Sequence, residues 1–362
     1  GSYGDRYDMS CKILASLSYY ENSRAFIHTQ QDFFTSVIDL VLNTEVPDMA
    51  ESLAMTVYYS TIDYPYMDQI DISKLVQSFQ TLLVLNEQLG TTTAGYCPMI
   101  MANIVSSIRE LCKHEFLVKE IATTSTIALF SRAIQLVPND TNIIYDIAAA
   151  IDTLVRYGSE YRVSLSSSPY IVDMICSLFE KKEALELTVC ILTSFCLDPK
   201  SRHAFSDKKI AELFAKIFQK AEEGGYNKLD SDFLYNAVSA AYALSKIPEA
   251  RDMLLEAGLD GDLDKIPIQD NPQLKTNVNR AVKNLASNAA ETLEEGTISS
   301  LIAMSLEGKK SQLKEDVIPF EARPQEYKLS TPPVFFHEDG DFSIYATYRT
   351  TYIPQLGGSA GK

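Results

Sequence analysis

The sequence has no tryptophan and only four histidines, and its six cysteines form no Cys-X-X-Cys pair. His28, His114, His203 and His337 are scattered, with no ligand spacing to one another or to cysteine, which excludes the usual structural metal patterns. Cys11, Cys97, Cys112, Cys176, Cys190 and Cys196 all lie in or beside helical patterns and read as reduced, mostly buried thiols of a cytoplasmic protein. There is no glycine-rich phosphate loop and no nucleophile elbow. Asp260, Asp262 and Asp264 imitate the start of a calcium loop, but Lys265 stands where glycine is needed and Asn271 where a bidentate glutamate is needed. They read as a helix end and turn. Enzymatic chemistry, metals and cofactors are therefore not expected.

Basic residues are also in short supply. Lys and Arg number 32 against 48 Asp and Glu, a net charge of -16, which argues against a nucleic-acid partner and an anionic membrane surface. No apolar run reaches the roughly 20 residues that span a bilayer, and no signal peptide is expected from the opening residues. Gly1-Ser2 reads as a cleavage scar and Gly357-Gly358-Ser359-Ala360-Gly361-Lys362 as an appended tail, so neither enters the fold argument.

What the chain does have is apolar content, at 46%, arranged with helical periodicity. The stretch from Ser194 to Phe218 shows the pattern. One helix ends at Cys196, Leu197-Asp198-Pro199 breaks the chain, and a short helix carries Arg202 and Phe205. Ser206 is the predicted N-cap of the next helix, which places Ile210, Leu213 and Ile217 at i, i+3, i+7 on one face. The same triplet recurs as Phe34, Val37, Val41; Ile72, Leu75, Phe79; Ile127, Phe130, Ile134; and Ile171, Met174, Leu178. Leu259, Leu263 and Ile266 continue it, and Ile298 with Leu301 closes it. Successive triplets lie about 40 to 55 residues apart, at or just beyond the period of three-helix repeats.

After each triplet comes a polar break and a longer apolar helix, predicted at about 47–62, 98–113, 140–157, 183–197, 229–246 and 272–288. A first such helix, about 8–20, has no preceding partner, so the sequence is expected to open inside a repeat. Pro47, Pro138-Asn139-Asp140, Asp198-Pro199, Gly224-Gly225 and Pro248 mark the breaks, and Ser168-Pro169 has the order that starts a helix. Units of this size cannot bury their apolar faces alone and must stack. Leu89 to Gly95 and Gly224 to Asp230 read as loop insertions.

In this pattern the chain resembles the armadillo-repeat family. Arg251, Leu254, Gly258 and Leu259 match the first half of a family unit, and Ala281-Val282-Lys283-Asn284-Leu285-Ala286 matches its long third helix. Leu293, Gly296, Ile298 and Leu301 open another unit, while Arg24, Arg162 and Arg202 occupy the basic position in earlier ones. The resemblance implies an all-α chain: a right-handed superhelical α-solenoid of three-helix repeats over 8–310. The turn glycine is replaced by Asp32, Pro169 and Lys208. Family members that bind basic peptides use a ladder of Asn and Trp. Here Ser16, Glu110, Thr153, Ser194 and Ala243 stand at the Asn position, and only Asn284 keeps it. That sets the basic-peptide-receptor reading aside.

The resemblance instead implies a non-enzymatic interaction scaffold or adaptor that holds a protein or peptide segment on the concave face of the third helices. Alignment with the family's ligand row puts Tyr59, Arg109, Glu110, Asp152, Thr153, Thr193, Ser194, Tyr242, Lys283 and Asn284 on that face. The alternatives are a chaperone-like armadillo domain for a myosin or other cytoskeletal client, and a structural component of a ciliary or cytoskeletal assembly.

After Lys310 the composition changes. Pro319, Pro324, Pro332, Pro333 and Pro354 break helices, while Phe335-Phe336 and the run from Phe342 to Ile353 are aromatic, with strand-like alternation at Phe342, Ile344 and Ala346. The segment 311–356 is expected to be an extended, non-helical tail. Phe335, Phe336, Tyr345 and Tyr348 would anchor it on its own helices or on a neighbouring copy, giving self-association.

Overall fold

The computed structural model describes residues 3–92, 95–224, 231–266 and 272–286, and among them there are helices and no strands. Contacts divide the chain into two compact units. Of the described residues, the first holds those up to Ile121 with Gln135–Asp146, and the second holds Ala122–Ile134 with those from Ile147 onward.

The first unit begins with α1 (Tyr3–Tyr19), α2 (Glu21–Ile27), α3 (Phe33–Leu42) and α4 (Ala50–Thr61). It continues with α5 (Ile72–Gly90), α6 (Pro98–Leu111) and α7 (Val118–Ile121). The helix α8 (Thr124–Leu136) and the helix α9 (Thr141–Tyr157) each contribute to both units. The second unit adds α10 (Ser159–Ser166), α11 (Ile171–Phe179), α12 (Leu185–Leu197), α13 (Lys208–Gly224) and α14 (Ser231–Leu244). It ends with α15 (Pro248–Glu256), α16 (Leu259–Leu263) and α17 (Pro272–Ala286).

Within the first unit α1 packs on α4 and α4 on α6, with α3 against α4 and α5. Within the second, α12 packs on α14 and α14 on α17, with α11 against α12 and α13, and α13 against α15 and α16. The apolar triplets explain this. Phe34, Val37, Val41, Leu75, Phe79, Ile127, Phe130, Met174, Leu178, Ile210, Leu213 and Ile217 are all buried, as are Leu259, Leu263 and Ile266. Ile298 and Leu301 lie outside the described residues, as do Leu293, Gly296, the 311–356 tail with its four aromatic anchors, and all of the expected Gly224–Asp230 insertion except Gly224, which ends α13.

The three arginines at the recurring basic position perform one task. Each reaches back to carbonyls at the end of the preceding long helix, groups that have no partner within their own helix. Arg24 Nη1 donates to Ser18 O (3.2 Å) and Tyr19 O (3.1 Å) at the end of α1. Arg162 Nη1 donates to Val155 O (2.7 Å) in the last turn of α9, and Arg202 Nη2 to Leu197 O (3.1 Å) at the end of α12. All three are buried.

Several boundaries differ from the sequence expectation: α1 begins at Tyr3 rather than near residue 8, and α11 begins at Ile171, with Ser168-Pro169 in the turn before it. The cap of α13 is Asp207, whose Oδ1 accepts from Lys209 N at 2.7 Å, while Ser206 closes the preceding 3-10 turn, its N–H donating to His203 O. The expected insertion from Leu89 begins inside α5, because Leu82, Leu85 and Leu89 prolong the buried stripe to Gly90. Gly258 sits at the expected turn with φ 82, a left-handed conformation that suits glycine. Asp260 and Asp262 lie in α16 and Asp264 caps its end.

Candidate interaction surface

The long helices carry polar side chains in the middle of their apolar packing, and these organise the surface. In the first unit, Arg109 on α6 is held by Asp146 on α9: Nη1 to Oδ1 is 2.7 Å, and Ser106 Oγ donates to Oδ2 at 3.1 Å. The guanidinium lies 5.7 Å from the ring centre of Tyr145, a cation–π distance. Burial opposes the Arg109 charge, but Asp146 and Glu110 outweigh it and raise its pKa. Glu110 pairs with Lys113 at 2.7 Å. Burial alone would raise the Glu110 carboxyl, yet Lys113, Arg109 and His114 together hold it below the ordinary range. Tyr59, on α4, is fully buried, with Tyr19 at 5.4 Å and the Arg24 guanidinium at 5.7 Å from its ring.

In the second unit the polar groups link one long helix to the next. Thr193 Oγ1 on α12 lies 2.7 Å from Val189 O and 3.0 Å from Asn236 O on α14. Asn277 Nδ2 on α17 donates to Ser239 Oγ at 2.9 Å on α14. Asn284 Nδ2 donates to Ser245 Oγ at 3.2 Å, and its Oδ1 accepts from Lys246 Nζ at 2.9 Å. Lys246 in turn sits 5.2 Å over the ring of Tyr242. Thr153 and Ser194 tie their hydroxyls to Ala149 O and Cys190 O in their own helices, and Asp152 pairs with Arg156 one turn on.

The ten residues aligned with the family's ligand row therefore separate by burial. Tyr59, Asp152, Thr193, Tyr242 and Asn284 are buried, Arg109, Glu110, Thr153 and Ser194 are half-buried, and Lys283 is exposed. Asn284 and Tyr242 are joined through Lys246 and Ser245, and Arg109 and Glu110 are neighbours on α6. Reasoning by alignment missed Tyr145, Asp146, Asn236, Lys246 and Asn277. For Asp146, Asn236 and Asn277 the signal was available, since polar residues at otherwise apolar helix positions have to find partners when buried; half-buried Tyr145 and Lys246 carried no such signal.

Other sites offer little. An open cleft of about 400 Å³ is lined by Pro98 and by Val137–Asn142 in the first unit. Its one carboxylate, Asp140, is spent on capping α9, accepting from the N–H groups of Asn142 and Ile143 at 3.0 Å each. Among the described residues no three His, Cys, Asp or Glu side chains come together as a metal site. Among the same residues no helix is long and apolar enough to cross a membrane.

No protein family and no curated protein matches the chain. Among solved structures it is similar to the crystal structure of an engineered protein, at 12% identity and a TM-score of 0.46, over 98% of this chain and 76% of that one.

Proposed function

We propose that the chain is a non-enzymatic interaction scaffold of armadillo type, its helices stacked as a right-handed α-solenoid, which binds an extended or helical protein segment along its long helices. The observation that carries this reading is the set of polar groups that each unit holds between its long helices. Hydrogen bonds run sideways from α12 to α14 to α17 and the Arg109–Asp146 ion pair joins α6 to α9, so these polar groups sit on packed helices rather than on loops. Arg109, Glu110, Thr153, Ser194 and Lys283 are the accessible members and are assigned the partner contacts. Buried Tyr59, Asp152, Thr193, Tyr242 and Asn284 are assigned the role of holding them in place. Such a surface suits side-chain recognition of a segment laid across it.

The thiols favour the same reading over nucleophilic catalysis. Burial pushes Cys97 and Cys176 up to about 11, away from the reactive thiolate. Free cysteines throughout fit a reducing compartment, so the cytoplasm is the proposed location.

Peptide display against the full chain tests the proposal. Peptides selected on it are expected to lose at least about tenfold in affinity for a Glu110→Lys, Thr153→Arg double variant. They are expected to bind a Lys119→Glu control unchanged, since that exposed α7 residue lies off the row. Equal binding to all three proteins overturns it.

A further inference from the structure

The helix α1 has two apolar faces. At about 100° per residue, Cys11, Ala15, Ser18 and Tyr19 share one face, and all are buried, where α1 packs on α4. Met9, Ile13, Leu17 and Tyr20 fall within about 80° of one another on the opposite face, with 59%, 53%, 41% and 56% of their surfaces exposed. Tyr20 belongs to this row because its N–H still donates to Ser16 O. By contrast α4 has long-helix neighbours on both sides, α1 and α6, and every residue from Thr56 to Thr61 is buried. A stripe at this spacing is the imprint of a packed helix, and contiguous apolar exposure of this size marks an interaction surface.

We propose that this face docks the α1 helix of a second copy of the chain, antiparallel, about a two-fold axis near Ile13. The stripe is self-complementary in that arrangement. Met9 lies opposite Leu17, and Ile13 opposite its own copy. Ser10 and Ser16 flank it and are small enough to admit a close approach. Toward the Met9 edge of this face Lys12 is paired with Asp8 at 2.7 Å, so these two charges offset one another there. The four side chains and their flanks offer roughly 500 Å² per copy, about 1,000 Å² in all, which is the threshold for a specific interface and below the usual size. A weak dimer, with a dissociation constant of the order of micromolar, follows. This surface shares no residue with those polar groups, so either proposal can fail alone.

Sedimentation velocity of the full chain over a range of roughly 1 to 200 μM reads the outcome. The mass is expected to rise from 40.4 kDa toward twice that value. An Ile13→Lys, Leu17→Lys variant is expected to stay monomeric and melt like the parent, since both side chains are exposed; lysine is chosen so that no negative charge is added. A chain that is monomeric throughout overturns the proposal, and so does a variant that still dimerises. A chain that dimerises only after residues 312–356 are removed also overturns it, since its own tail would then be the occupant.

Discussion

Arg162 is 5% exposed and Asp198 is 2% exposed, and the two meet at 2.7 Å across 36 residues of sequence. The recurring position of Arg24, Arg162 and Arg202 was legible in the sequence, because each follows a long apolar helix by a few residues. What they do was not legible, since the carbonyls they satisfy are backbone groups and Asp198 lies in the next break. Arg202 shows the dependence on that partner. Its Nε is buried without one, and the break that follows α14 reads Ile247-Pro248 where the earlier one reads Asp198-Pro199. Burial therefore dominates at Arg202 and lowers its pKa. At Asp198 burial would raise the carboxyl, but hydrogen bonds from Ser159, Arg162 and the Lys200 N–H outweigh it and hold it below its ordinary 3.8. A depressed carboxyl contributes stability that is fully present above the unfolded-state pKa and is lost as pH falls through the folded one. Asp198→Asn is expected to cost about 3 kcal/mol at pH 7 by leaving Arg162 buried without a counter-charge. Its stability should then fall less than the parent's below about pH 4. Urea melts at both pH values check this. The difference between the two proteins is the readout, because Glu110 is depressed too and adds its own acid loss. Parallel pH curves would remove Asp198 from the account.

Among the elements, the long helices were the most legible part of the chain: 98–113 was expected and Pro98–Leu111 is observed, 140–157 was expected and Thr141–Tyr157 is observed. Helical periodicity is a local signal and survives any tertiary arrangement. Boundaries are not local in the same way. Ser206 and Asp207 are adjacent and both favour N-caps, so the choice between them depends on where the preceding 3-10 turn closes. It closes on Ser206, which leaves Asp207 to accept from Lys209 N with its carboxylate and from Ile210 N and Ala211 N with its carbonyl, each at 3.1 Å. The carboxylate also complements the positive end of α13. Asp207→Ala is expected to cost about 1 kcal/mol in thermal or urea unfolding. Ser206→Ala should cost nothing measurable, since that hydroxyl is buried with no hydrogen-bond partner. The reverse ranking would restore Ser206 as the cap. The interaction row was less legible than the helices for the same reason. Alignment can place Thr153 or Tyr242 on a helix, but which side of the helix a neighbour covers is fixed only by packing.

At the scale of the whole molecule, a stacked array and a globular helical domain differ in how far a loss propagates. In an array each element leans on its neighbours, and stability is close to a sum of local and nearest-neighbour contributions. A globular core shares its burial among all its helices, so removing several unfolds the rest. The second unit has the contacts to distinguish these. There α17 packs on α14, α15 and α16, and α15 and α16 pack on α13, while α12 is covered by α11 and α14. A chain ending at Lys246 loses α15, α16 and α17 and uncovers one side of α13 and α14. Ser239 and Ser245 then lose Asn277 and Asn284 but keep their own bonds to Tyr235 O and Tyr242 O, both at 2.7 Å, so no hydroxyl proton is stranded. The remaining helices are therefore expected to persist, with α14 frayed. Circular dichroism should show an unchanged helical signal per residue up to α13, and a cooperative melt at a lower temperature. Loss of most of the signal, or a melt without cooperativity, would mean that the second unit shares one core and that the solenoid reading is wrong.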